Sequence, residues 1–282
     1  MGRILFPKSR NRKAVSVSEI VAIKDGAISV NVLERDSKNP IIGNTISKIT
    51  GTKMAIIDKK PSVNGRVTVV MERAPKYRVA YGERLLARED VSGDKGSVIR
   101  ISPSKVMLTI SDGMGHGDGA GRNAKCAISL IESLYKSGFE HETVLRSVEA
   151  LLKVRNKEEF NAIDIAVVDT ETGEVDFIKQ GGRAGYVITP DGLEVIKADS
   201  LPLGIIEGSA PTTERRKITT SDFIVLISDG VVDGLGEERL EEILTAIKTR
   251  NPDDICSQVI ENLNRLAGEE RDDCSIIVAR LF

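Results

Sequence analysis

Twice in this chain a largely apolar run of strand length ends in Ser-Asp-Gly. Val106–Ile110 leads into Ser111-Asp112-Gly113, and Ile224–Ile227 leads into Ser228-Asp229-Gly230. Runs this short and this apolar predict strands covered on both faces, and an aspartate closing such a strand stands on rigid scaffold at a sheet edge. The glycine behind it permits a tight turn and close approach of a ligand to the backbone. Asp-Gly is also a common hairpin turn, and that reading suits Asp25-Gly26 and Asp191-Gly192, which lie between alternating strands. It suits Asp112 and Asp229 less well, because no returning strand follows either. Gly113-Met114-Gly115-His116-Gly117-Asp118-Gly119 runs on toward a predicted helix, as does Val231–Gly236. Two further acids stand at predicted strand starts, Asp94 in Ser92-Gly93-Asp94 and Asp272 in Asp272-Asp273-Cys274-Ser275. From spacing alone, a shared carboxylate metal site and a set of ordinary turns both stay open.

Composition narrows the metal chemistry. The chain has 2 histidines, His116 and His141, and 3 scattered cysteines, Cys126, Cys256 and Cys274. A histidine-rich or thiolate site is excluded, so an ion here is held by oxygen, which selects magnesium, manganese or calcium. The odd, widely spaced cysteines form no disulfide framework and fit a reducing compartment, which gives a cytoplasmic expectation. No apolar run approaches the roughly 20 residues needed to span a bilayer, and Met1-Gly2-Arg3-Ile4-Leu5 opens no signal peptide. The formal charge of −2 hides an asymmetry, since residues 1–82 carry about +10 and the remainder about −12. The basic residues are scattered along alternating segments without a set of stacking aromatics, so no nucleic-acid partner is expected. Gly115-x-Gly117-x-x-Ala120 fits a loose dinucleotide fingerprint, but Asp112 and Asp118 beside it would repel a pyrophosphate.

Along the chain, residues 1–13 read as a basic, disordered lead-in. Residues 14–75 read as a small α/β or β-rich unit: a hairpin over 20–32, then short pieces punctuated by Asn39-Pro40 and Asn64-Gly65. Residues 76–91 read as a connector. Residues 92–282 hold two helix pairs among hairpin-linked strands, which predicts sheet layers covered by helices instead of a repeating βαβ unit. The expected helices cover 123–137, 142–155, 238–248 and 253–266, with strands at 95–101, 106–111, 162–168, 174–179, 185–188, 193–196, 223–228 and 275–281.

The ordered set Ser92-Gly93-Asp94, Ser111-Asp112-Gly113-Met114-Gly115, Ser228-Asp229-Gly230 and Asp272-Asp273-Cys274-Ser275 resembles the metal-dependent protein phosphatases of type 2C. Within them it resembles the bacterial branch that includes the sporulation stage II protein E phosphatase. Asp164-Ile165-Ala166 and Leu201-Pro202-Leu203-Gly204-Ile205 also match, and the resemblance covers residues 77–282. It implies an α+β fold, a four-layer α/β/β/α sandwich of two antiparallel sheets flanked by helices, with a smaller N-terminal α/β regulatory segment. It implies two divalent ions, manganese or magnesium, with Asp112 bridging both, the Gly113 carbonyl binding one, and Asp94, Asp229 and Asp272 completing the shells. Asp273 replaces Asp272 if the register is off by one. Cys274 and Ser275 stand where that branch more often has methionine and threonine.

The implied activity is a protein serine/threonine phosphatase that attacks phosphorus with a metal-activated water and uses no side-chain nucleophile. His116 is a candidate acid for the leaving oxygen, with a solvated loop residue as the plainer reading. Arg183 is a candidate phosphate contact, with a surface arginine as its alternative. The implied partner is a phosphoprotein, by resemblance an anti-sigma-factor antagonist in sporulation, and residues 14–91 are expected to regulate the site. The resembled protein carries a multi-span membrane region, so a longer form would be membrane-anchored although this chain itself would not touch a membrane. A homodimer is left open. The rival readings are a silent phosphatase-fold interaction module and a two-metal nucleotidyl transferase or cyclase.

Overall fold

The computed structural model of the chain describes residues 15, 17–22, 27–88, 90, 92–113, 118–155, 160–197, 199–205, 208–267 and 272–282. The chain divides into two compact units, Met1–Lys76 and Tyr77–Phe282.

The first unit holds β1 (Val17–Ala22), β2 (Ile28–Leu33), α1 (Pro40–Thr50), β3 (Met54–Pro61) and β4 (Arg66–Arg73). Its strands form one antiparallel sheet in the order β1-β2-β4-β3. Val30, Val32, Val69 and Met71 line one face of the sheet and pack on Ile42 and Ile46, one helical turn apart on α1. Asn39-Pro40, which in the sequence punctuates short pieces of this unit, proves to be a helix start. The Asn39 side chain accepts from the Ile41 N–H at 3.0 Å, Pro40 occupies the first turn, and Gly51 closes the helix in the left-handed region. Together these are a helix start and stop. Asp25 and Gly26 lie outside the described residues.

The second unit runs β5 (Val79–Leu86), β6 (Asp94–Ser102), β7 (Lys105–Gly113), α2 (Asp118–Lys136), α3 (His141–Arg155), β8 (Asn161–Asp169), β9 (Glu174–Gln180), β10 (Gly185–Thr189), β11 (Gly192–Ile196), β12 (Thr212–Lys217), β13 (Phe223–Ile227), α4 (Asp229–Leu235), α5 (Glu237–Ala246), α6 (Pro252–Ala267) and β14 (Cys274–Leu281). Two five-stranded antiparallel sheets result, β12-β9-β8-β7-β6 and β11-β10-β13-β14-β5.

Alternation within single strands shows how the layers stack. On β7, Val106, Leu108 and Ile110 pack between the sheets, while Met107 faces the core under α2 and α3. On β13, Ile224 and Leu226 join the core between the sheets, while Phe223, Val225 and Ile227 join the core that includes Val231 of α4, Leu240 of α5 and Val259 of α6. Both strands are apolar at nearly every position because both faces are covered. The architecture is therefore the expected α/β/β/α sandwich.

Residues 76–91, read from sequence as a connector, contain β5. That strand pairs along its whole length with β14, from Val79 opposite Leu281 to Leu86 opposite Cys274. The strand β12, which sequence reading passed over, pairs with β9 at the rim of the other sheet.

Candidate functional site

Asp94 opens β6 and Asp112 stands one residue before the end of β7, and the antiparallel register sets the two residues directly opposite each other. Asp229 arrives from the second sheet, two residues past β13 at the start of α4. The three meet where the two sheets adjoin. The Asp112 carboxyl lies within hydrogen-bonding reach of both Asp94 and Asp229.

The local sequence explains how the sheets are tied at this point. Ser228 and Ser275 clasp each other: the Ser228 N–H donates to the Ser275 carbonyl at 2.9 Å, and the Ser275 N–H donates to Ser228 Oγ at 2.8 Å. Both hydroxyls then serve Asp94, with Ser275 Oγ donating to Asp94 Oδ2 at 2.7 Å. Gly230 is required behind Asp229, because a Cβ there would stand 2.1 Å from the Asp273 carbonyl oxygen.

Crowding sets the electrostatics. Burial, with the charges of Asp94 and Asp229 next to it, pushes the Asp112 carboxyl up to about 9. Burial also raises Asp94 to about 6, and hydrogen bonds from Ser228 and Ser275 oppose that rise. A carboxyl cluster that raises its own pKa in this way draws a cation or holds protons. Its donors are all oxygen, the set that hard divalent ions take, so in kind the residues fit such an ion. Among the described residues, no group of three or more His, Cys, Asp or Glu side chains is placed to hold a metal ion.

The two C-terminal acids have separate places. Asp273 is 4% exposed and spends both oxygens on backbone, Oδ1 accepting from the Arg88 N–H at 2.7 Å and Oδ2 from the Gly93 N–H at 2.6 Å. It anchors the segment from which Asp94 departs. Asp272 is exposed, and its Oδ1 accepts from the Asp273 N–H at 2.9 Å. Gly113 is buried at the end of β7, opposite Asn161. His116 lies outside the described residues.

Beside the cluster a cleft of about 520 Å³ opens, lined by Asp112 and Asp229 and, farther along, by Asp164, Gly182, Arg183 and Lys197. Sequence reading singled out Arg183 but missed the arrangement beneath it. Lys179 and Asp164 sit opposite each other on β9 and β8, 1% and 3% exposed, with Lys179 Nζ 2.5 Å from Asp164 Oδ2. Burial pushes the Asp164 carboxyl up, and the ammonium opposes it. The available signal was a charged residue at an inward position of each of two adjacent apolar strands, Asp164 in Ala162–Val168 and Lys179 in Val175–Gln180.

A family model described as stage II sporulation protein E (SpoIIE) matches residues 102–282. The chain belongs to that family. It is 29% identical over 198 residues to stage II sporulation protein E of Priestia megaterium, covering 68% of this chain and 34% of that protein. The counterpart from Bacillus subtilis (strain 168) is 24% identical over 278 residues, covering 93% of this chain and again 34% of the relative. The chain thus spans about a third of the length of the curated relatives it matches. Among solved structures, the PP2C phosphatase domain of SpoIIE from Bacillus subtilis with a fragment of its regulatory domain superposes with a TM-score of 0.76. The identity is 24%, over 93% of this chain and 81% of that one. The second unit therefore shares the sandwich fold of that PP2C phosphatase domain. Among the described residues no helix is long and apolar enough to cross a membrane.

Proposed function

We propose that this chain is a phosphoserine protein phosphatase that works with two divalent ions, manganese or magnesium. Asp112 would bridge the ions, and Asp94, Asp229, Asp272 and the Gly113 carbonyl would complete their shells. One observation carries the reading: the Asp112 carboxyl lies within reach of Asp94 on its own sheet and of Asp229 from the other. Asp272 is preferred to Asp273 as the fourth carboxylate because both Asp273 oxygens are already taken by backbone N–H groups.

When bound, such ions supply an activated water and neutralise charge on the phosphoryl oxygens. The remaining work falls to the chain. Ser275 and Ser228 hold the Asp94 carboxylate by hydrogen bonds, on the residue paired opposite Asp112. Asp273 holds the 88–93 segment and with it the start of β6. The strand ends keep Asp94 and Asp112 in register, which preorganises the donors before substrate arrives. His116 is assigned the proton for the leaving serine oxygen. The substrate is assigned as a phosphorylated anti-sigma-factor antagonist of a sporulation pathway, acted on in the cytoplasm, and this rests on family membership.

The experiment strips the protein with chelator and measures inorganic phosphate released from a phosphoserine protein and from p-nitrophenyl phosphate. Release should be absent in chelator and return with manganese or magnesium. No release with either ion, or full turnover with metals verified absent, overturns the reading. Product formed from a nucleoside triphosphate would favour a nucleotidyl transferase instead.

The first unit is assigned a regulatory role, supported by its separate core and its place immediately before β5. Deleting residues 1–76 should change the rate or the ion concentration required by at least about threefold. Unchanged kinetics and an unchanged oligomeric state would end that assignment.

A further inference from the structure

We propose that Arg183 is a specificity-determining residue of the cleft, reading a carboxylate that neighbours the phosphoserine of the substrate, and that the buried Lys179–Asp164 pair is its positioning device. The proposal rests on the phosphatase reading above and deepens it.

The argument begins under the loop. Lys179 Nζ donates to Asp164 Oδ2 at 2.5 Å and to the Arg183 carbonyl at 2.8 Å, so one buried ammonium pins the loop between β9 and β10 from below. Gly182 lies directly over the pair, and a Cβ there would meet Asp164 Oδ1 at 3.0 Å. The loop is therefore seated closely against its support, and a side chain at that point would need the Asp164 carboxyl to give by a few tenths of an ångström. The Ser200 hydroxyl adds a second tie, donating to the Lys179 carbonyl at 2.7 Å. The hydrogen bond from Lys179 to its carbonyl thus positions the Arg183 backbone at the cleft wall.

The guanidinium above this support is exposed, and it lines the same cleft as Asp112 and Asp229. Arg183 and Lys197 supply the positive charge among the described lining residues, and the other charged residues of the lining are acids. Asp164 is already matched by Lys179. Arg183 Nη2 donates to Asp233 Oδ1 at 2.7 Å, so a carboxylate from α4 already occupies the place proposed for one from the substrate. That pair is exposed on both sides, and exposed pairs hold weakly. A substrate carboxylate can take over Arg183 at small cost, and the planar fork accepts it in a defined geometry. The chemical class recognised is an acidic peptide segment next to the phosphorylated serine.

The test compares two phosphoserine peptides, one with glutamate on each side of the phosphoserine and one with glutamine. The full chain with manganese should favour the glutamate peptide about fivefold in kcat/KM, through KM, which is the scale of one rim ion pair. The preference should fade at high salt. Arg183→Gln should bring the ratio to about one, and Arg183→Lys should restore part of it. The double replacement Asp164→Leu with Lys179→Met should also flatten the ratio while Arg183 is still present. Because each ratio is taken within one variant, a general loss of activity or of folded protein cancels. A wild-type ratio at or below one, or a ratio unaffected by Arg183→Gln, overturns the proposal. If wild type hydrolyses neither peptide, the phosphatase reading fails by itself. The same ratio is then read from fluorescence anisotropy of the two peptides, with the same two outcomes deciding.

Discussion

Asp112→Asn is expected to cost at least about 10³-fold in metal-supported turnover while making the metal-free protein more stable. The first half follows from position: Asp112 is the carboxyl that both Asp94 and Asp229 approach. Losing an outer partner of a metal site typically costs 10–100-fold, and a bridging ligand should exceed that. The second half follows from crowding. In the metal-free fold Asp112 sits at about 9 and Asp94 at about 6, against 3.8 for a free aspartate. The native state therefore keeps protons that the unfolded chain has released. The stability that these two carboxyls contribute is fully present below about pH 4 and is lost as pH rises through about 6 and about 9. Asparagine removes the larger part of that decline. Phosphate release at saturating manganese, and urea unfolding in chelator at pH 6 and pH 9, measure the two halves. Turnover within tenfold of wild type would sink the first. A variant no more stable than wild type at pH 9 would sink the second.

Lys179→Met alone should destabilise the second unit by about 3–5 kcal/mol, because it leaves Asp164 buried without its counter-charge. That is a large part of the roughly 5–15 kcal/mol that typically separates folded from unfolded states. Replacing both partners, Lys179→Met with Asp164→Leu, should come back to within about 2 kcal/mol of wild type, since apolar side chains of similar volume fill the space without a desolvated charge. Urea midpoints for the two variants decide it. A single variant as stable as the double would mean that the ion pair is not what holds the two strands there.

The layered fold was readable because covered strands and amphipathic helices leave different periodicities, and β7 and β13 were apolar enough to be placed in the interior from sequence. Asp112 and Asp229 were readable as strand-end acids for the same reason. The helix α1 was not, although Asn39, Pro40 and Gly51 marked its ends, because its short run of isoleucines suits a strand equally well. The strand β12 escaped because Thr212–Lys217 is polar throughout: it lies at a rim and gets its stability from pairing with β9. The separate roles of Asp272 and Asp273 could not be read from adjacent letters, since only the backbone path decides which carboxyl turns inward. Lys179 and Asp164 stand 15 residues apart, and it takes the β8–β9 register to show that they face each other.

The pairing of β5 with β14 has a consequence for how this protein is made. Val79 finds Leu281, and the strand between β13 and β5 is the last of the sandwich in chain order. Closure of that sheet must bring together segments separated by nearly the whole second unit, and such non-local pairing folds slowly. Until β14 is in place, the apolar edge of β13 is without its neighbour and β5 has nothing to pair with. Ser275, which orients Asp94, arrives on that same strand. Assembly of the carboxylate cluster is thus tied to this non-local pairing, and a partly folded chain would carry an exposed sticky edge and an incomplete cluster. During synthesis, the interval before β14 docks is when this protein most needs protection from aggregation.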